Sequence, residues 1–368
     1  MANRLWGLSR RQTVIAFAVA IAVGIVIALV TTRSDSNPSP TTTPGIAKVA
    51  AGHPGARHAV WAFGFETLRF DASLRHAQHL PFTAFGAVQG ADGRVYMYDA
   101  GTGRVGVIVN ASNTRTVLGT IAGGGPQDDT FAPVIAPRPS ELWIAAAPGA
   151  LTRFDLRTRQ ADPAIRLTDP AAADPAQATA VVTTSDSVLA VTRDRTGLTL
   201  TRVDPATRAV VTSRRVPLTG SFFLDGVAVD RNHLWIVAGG SVLDVDAATL
   251  AVDRRIPIVG QPQGGVRGAV VAAGGLWVLA ENGGSIGRFV PDTGRVDRVL
   301  RILPAPPTAF RIPASLVSDG ARIWAMVQRN GASDDHAVRL VGYDTRRRAA
   351  TTGIDLPSAL FAGAAAAS

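Results

Sequence analysis

One dipeptide recurs along the chain at nearly constant spacing, and that spacing limits the folds open to it. Leu276-Trp277 has counterparts at Leu142-Trp143, Leu234-Trp235 and Ile323-Trp324, with weaker ones at Val60-Trp61, Val95-Tyr96 and Val188-Leu189. The second members stand at 61, 96, 143, 189, 235, 277 and 324, so the intervals are 35, 47, 46, 46, 42 and 47 residues. Each pair is followed by a second recurrent feature, a turn built on Asp and Thr. It reads Asp155-Leu-Arg-Thr158, Asp204-Pro-Ala-Thr207, Asp246-Ala-Ala-Thr249, Pro291-Asp292-Thr293 and Asp344-Thr345, with Asp71 and Asn110 in the first two copies. Between these marks the chain alternates short β-branched runs with Gly, Asn or Pro-Asp breaks, as in GLWVLAENGGSIGRFVPDTGRVDRVLRILP (275–304). Such runs and breaks are strands and their turns. A further apolar run precedes most pairs, as in GVAVDRNHLW (226–235), so each unit holds four strands.

Seven four-strand units at this period predict an all-β, seven-bladed β-propeller over 57–368, its blades packed face to face around an axis. The tryptophans then read as apolar plates between blades. The Asp and Thr side chains read as turn-fixers that bond their own backbone. The first unit, HAVWAFGFETLRFDASLRHAQHLP, has only three strands, because the innermost one is missing from its start. A circular array needs its ends tied, so 358–368 is predicted to complete blade one.

Ahead of the repeats, residues 13–32 (TVIAFAVAIAVGIVIALVTT) carry no charge. That matches the ~20 residues of a membrane-spanning helix. A cleaved signal peptide would have a shorter apolar stretch of ~7–15 residues. Arg4, Arg10 and Arg11 precede the run. The positive-inside rule therefore predicts a cytoplasmic tail over 1–12, a single-pass signal anchor over 13–32 and an extracytoplasmic remainder at the cell membrane. Residues 33–56, rich in Pro, Thr and Ser without periodicity, predict a disordered linker.

Composition narrows the function classes. There are no cysteines, which removes disulfides, thiolate metal sites and a cysteine nucleophile. The net charge is +9, yet the arginines are spread through the repeats without a basic helix or an aromatic-basic platform. No nucleic-acid partner is expected. The chain holds three glutamates (66, 141 and 281), no His-x-His or His-Glu spacing and no Gly-rich loop that opens a helix. Neither a metal, a cofactor nor a catalytic residue is assigned.

The blade at 275–304 resembles the repeat of bacterial seven-bladed propellers of the YVTN, NHL and virginiamycin B lyase-like type. The likeness is a Leu-Trp strand, an acidic residue, a Gly-rich turn, an Ile-Gly-Arg strand and a Pro-x-Thr-Gly turn. The lyase family implies a His and a metal-coordinating Glu near the channel mouth, and Glu281 alone matches that acidic position. In such a ring, the connections leaving each outer strand and those between second and third strands share the mouth face. That predicts a ring of Gln127, Asp128, Asp129, Gln261, Gln263, Arg267, Glu281, Arg311 and Arg329 there, floored by Phe222, Phe223 and Phe310. The expectation is a non-catalytic, membrane-tethered propeller that binds a protein or an anionic envelope polymer through this face. The alternative is a lyase-like or quinone-type enzyme of the same fold.

Overall fold

In a computed structural model of the chain, each repeat unit becomes one antiparallel sheet, and there are seven. The structure describes residues 50–51, 59–63, 67–71, 74–80, 86–90, 92, 94–99, 102–109, 114–122, 134–168, 176–218, 222–261, 265–280, 284–303, 314–328, 338–351, 353–356 and 363–366. The expected span at 13–32 lies outside them. Among the described residues no helix is long and apolar enough to cross a membrane.

Blade 4 shows the plan most fully. Ala178–Thr183, Val188–Arg193, Gly197–Val203 and Val210–Pro217 pair in sequence order, innermost to outermost. Blade 2 (Gly86–Gln89, Val95–Asp99, Arg104–Val109, Thr114–Thr120) follows it. So does blade 5 (Leu224–Val229, His233–Ala238, Ser241–Asp246, Val252–Pro257). Blade 6 is the same again (Arg267–Ala272, Gly275–Ala280, Ser285–Val290, Arg295–Arg301). In blades 3 and 7 the outermost strand is split into two short pieces, Gln160–Ala161 with Ile165–Arg166 and Ala349–Ala350 with Ile354–Leu356. Blade 1 takes three strands from 59–80, and its fourth is Gly363–Ala366, antiparallel to Ala59–Phe63 in register Val60 to Ala366. The innermost strand of the first blade thus comes from the far end of the chain, and Ala50–Ala51 pairs parallel to the outer strand His76–Leu80.

The core is seven separate clusters, one in each gap between neighbouring blades, and the recurrent dipeptide builds all of them. Successive side chains of a strand point to opposite faces. The first member therefore packs on the preceding blade and the second on the following one. Leu276 lies with Trp235 and Val237 of blade 5, whereas Trp277 lies with Leu316, Ile323 and Tyr343 of blade 7. Val60 and Trp61 split in the same way between blades 7 and 2. Trp61, Trp143 and Trp324 are fully buried. Leu189, where a tryptophan is replaced, fills its gap with the same aliphatic surroundings.

The Asp-Thr turns join third to outermost strands. Asp246 Oδ1 accepts from the backbone N–H of Thr249 and from its Oγ1, both at 2.7 Å. The Thr249 hydroxyl is the main cause that holds the Asp246 carboxyl below the usual range. Asp155 and Asp344 cap their turns by the same backbone bonds. Among the described residues, these turns close on left-handed residues that include Arg159, Arg208, Leu250 and Gly294. At Gly294 (φ 65°) a Cβ would also fall 2.3 Å from the Pro257 carbonyl of blade 5, so glycine is required twice over.

Candidate functional site

Strand order fixes which connections share an end. Outermost strands hand over to the next innermost strand at the same end as the second-to-third turns, and this is the mouth face. Of the ring expected there, Gln127, Asp128, Asp129, Gln263, Glu281, Arg311 and Arg329 lie outside the described residues, as does Phe310. Gln261 is half-buried in the connection between blades 5 and 6. Arg267 is the first residue of the innermost strand of blade 6 and is 1% exposed.

Two β-bulges shape the ground around Arg267. The register of blade 5 shifts between Leu224 and Gly226, so Asp225 is the extra residue. In blade 6 it shifts between Arg267 and Ala269, with Gly268 as the extra residue at φ 58°. Bulges bend a strand and re-aim a side chain. Here they act where two innermost strands almost touch: a Cβ on Gly226 would lie 2.7 Å from both Ala269 N and Gly268 C. Only glycine admits that approach, and it brings Asp225 and Arg267 side by side.

The Arg267 guanidinium donates through Nη1 to Asp225 Oδ1, an ion pair with both side chains buried. Arg193, at the mouth end of the second strand of blade 4, is 5% exposed and donates through Nη1 to the Phe222 carbonyl at 2.6 Å. Both cations sit against the Phe223 ring, Arg193 Cζ at 5.7 Å and Arg267 Cζ at 5.8 Å from its centroid. Cation–ring contact of this kind is favourable and stronger when desolvated. Burial pushes Asp225 up to about 7, although the Arg267 and Arg193 charges pull it down. The mouth ends of blades 4–6 therefore hold two buried guanidinium groups, one bonded to a carboxylate and one to a carbonyl, against one aromatic plate. Guanidinium forks suit carboxylate or phosphate groups.

Sequence reasoning put Arg267 in the mouth ring and Phe222 and Phe223 on its floor; the Phe222 side chain packs in the core between blades 4 and 5. Sequence reasoning did not single out Arg193 or Asp225. Each carried a signal. Arg193 ends the otherwise uncharged strand VLAVTR, and Asp225 stands directly before the glycine that opens GVAV.

A second charged group lies in blade 5, toward the opposite face. His233 begins the second strand, stacks on Trp235 with ring centroids 5.6 Å apart, and its Nδ1 is 2.7 Å from Asp244 Oδ1. The other oxygen of Asp244 accepts from Arg254 Nε at 3.1 Å and Nη2 at 2.8 Å. The hydrogen bond to Asp244 is the main cause that raises His233 above the ordinary imidazole range. His233, Asp244 and Asp253 have ligand-type atoms within 4.8 Å of one another. Asp244 is already engaged by three donors, however, and the arrangement reads as an ion-pair network.

The fold and this site define a seven-bladed β-propeller with a charged mouth. No family model matches the chain, and no curated protein does. Among solved structures it is similar to a streptogramin B lyase, at 12% identity and a TM-score of 0.53, over 82% of this chain and 88% of that one. It is also similar to the dihydro-heme d1 dehydrogenase NirN in complex with DHE, at 14% identity and a TM-score of 0.51, over 88% and 81%. A computationally designed protein, Ika8, matches at 12% identity and a TM-score of 0.50, over 84% and 89%. At such identities the likeness carries the propeller architecture alone.

Proposed function

We propose that the chain is a non-catalytic propeller, tethered to the cell membrane by 13–32 and held outside the cytoplasm. In this reading it binds an acidic protein or an anionic envelope polymer at its channel mouth. The observation that carries the reading is the convergence of Arg193, Arg267, Asp225 and Phe223 at the mouth ends of blades 4–6. Arg311 and Arg329, by their places in the chain, belong to connections at the same end. The lyase-like alternative draws on likeness of fold to a streptogramin B lyase at 12% identity, and the quinone-type one has no such likeness among the structures named above.

The test uses the full chain in detergent with polyglutamate and inorganic polyphosphate as probes. Binding is expected to weaken as salt rises, because the contact is ionic. Arg311→Ala with Arg329→Ala is expected to weaken binding about tenfold and to flatten the salt dependence, with an unchanged melting temperature; tenfold corresponds to about 1.4 kcal/mol. A double variant that binds like the parent, or a parent that binds neither polyanion, would overturn the reading.

A further inference from the structure

The outermost strands are where the charge of this chain is unevenly placed. Those of blades 4, 5 and 6 read VVTSRRVP, VDRRIP and RVDRVLR. Together they expose seven arginines against two acids, Asp253 and Asp297. The described outermost strands of the other four blades hold two arginines between them, Arg115 and Arg166. The band also gathers apolar surface. Of the five exposed large hydrophobic side chains among the described residues, Val210, Val211 and Val299 lie on these strands and Val259 just beyond one. Val117, on blade 2, is the exception.

The outer edges of blades 5 and 6 are bonded to one another, and blade 4 meets blade 5 through its third strand. The Val259 N–H donates to Gly294 O at 2.8 Å and Val259 bridges to Arg295, which carries the outer edge of blade 5 onto blade 6. Arg254 reaches Asp292 of blade 6 at 3.7 Å. Arg202 of blade 4 donates to the Ala248 carbonyl of blade 5 at 3.1 Å. Arg215 pairs with Asp194 and Arg254 with Asp244, acids of their own blades, and with these two added the seven arginines still face only four acids.

From this we infer that the outer edge of blades 4–6 docks on an anionic lipid surface, a contact separate from recognition at the channel mouth. Three features favour lipid. Guanidinium forks match phosphate oxygens. Valines interleaved with them are small enough to enter the headgroup layer, where apolar side chains and basic residues act together. The three strands contain no Phe, Tyr or Trp, the platform on which single-stranded nucleic acid stacks. The inference rests on the tether reading for the nearness of a bilayer, though not for the existence of the band.

The absence of cysteine in the chain allows a single fluorescent label to report the contact. Full-length protein is labelled at Ser213→Cys in the band or at Thr116→Cys on the outer strand of blade 2, both exposed positions. It is then mixed with vesicles of phosphatidylcholine, with or without phosphatidylglycerol, that carry a headgroup quencher. Quenching at position 213 is expected to exceed that at 116, and only when phosphatidylglycerol is present. Combining Arg214→Gln, Arg255→Gln and Arg295→Gln is expected to reduce the phosphatidylglycerol-dependent part on the order of 100-fold. Equal quenching at the two positions, indifference to phosphatidylglycerol, or preferential binding of a DNA duplex at the same salt would overturn the inference. Flotation with plain phosphatidylcholine vesicles tests the tether separately. A chain that fails to float there but is still quenched at 213 with phosphatidylglycerol would sink the tether and keep the band.

Discussion

Blade 5 buries two carboxylates whose surroundings differ. Asp225, on the innermost strand, is 3% exposed and accepts from the Arg267 fork. Asp244, on the third strand, is 2% exposed and accepts from His233 and twice from Arg254. A buried charge is tolerated in proportion to the donors that replace water. Asp244 has its donors on its own blade, Arg254 directly opposite it and His233 two positions along the other neighbouring strand. Asp225 depends on a partner from the next blade, brought near by two bulges and a glycine contact, and burial lifts it to about 7. The comparison teaches where this fold keeps chemistry in reserve. Within blade 5, Asp244 is settled by strands of the same sheet; at the channel mouth Asp225 is settled between blades.

The largest expected effect comes from removing the partner of Asp225. Arg267→Ala leaves a buried acid beside Phe223 and is expected to destabilise the fold by about 3–5 kcal/mol. Arg254→Ala leaves Asp244 its contact with His233, and Arg254 is itself 46% exposed. That change is expected to cost about 1 kcal/mol or less. Denaturant midpoints of the two variants at neutral pH make the comparison, and equal losses would break it.

Titration sharpens the same contrast. Asp225 keeps its proton in the folded chain up to about 7, far above its unfolded value. The folded state then holds a proton that the unfolded state has lost, so stability falls as pH rises from about 4 to about 7. His233 is raised by Asp244. Its contribution is complete below about 6.5 and is lost as pH rises through the folded value. Asp225→Asn is expected to flatten the acid limb of a melting-temperature profile. His233→Gln is expected to flatten the smaller limb above it, smaller because the imidazole is 44% exposed. An acid limb that survives Asp225→Asn would show that the charge is settled by other groups.

The fold was legible because its cause is local and repeated. The Leu-Trp alternation sends one side chain to each neighbouring blade, and the Asp-Thr turn fixes the reversal within four residues, so period and composition sufficed. The site was legible only in part. The placement of Arg267 and Phe223 followed from the order of strands, which a repeat count supplies. Arg193 and Asp225 join them through two bulges and the contact of Gly226 with Ala269, and a one-residue insertion in a strand leaves no periodic trace. The basic band escaped for a different reason. Its arginines are dispersed along the sequence and share one rim only because each blade places its fourth strand outermost.

Hydrogen exchange of the full chain, with and without saturating polyglutamate, tests recognition at the mouth face most directly. Slowed exchange is expected in peptides that cover 219–225 and 260–268, the connections that lead to Asp225 and Arg267 together with the strand starts that carry them. The Asp-Thr turns at 155–158 and 204–207, at the other end of their blades, are expected to exchange at the same rate in both states. Protection confined to those turns, with the two connections unchanged, would contradict the account.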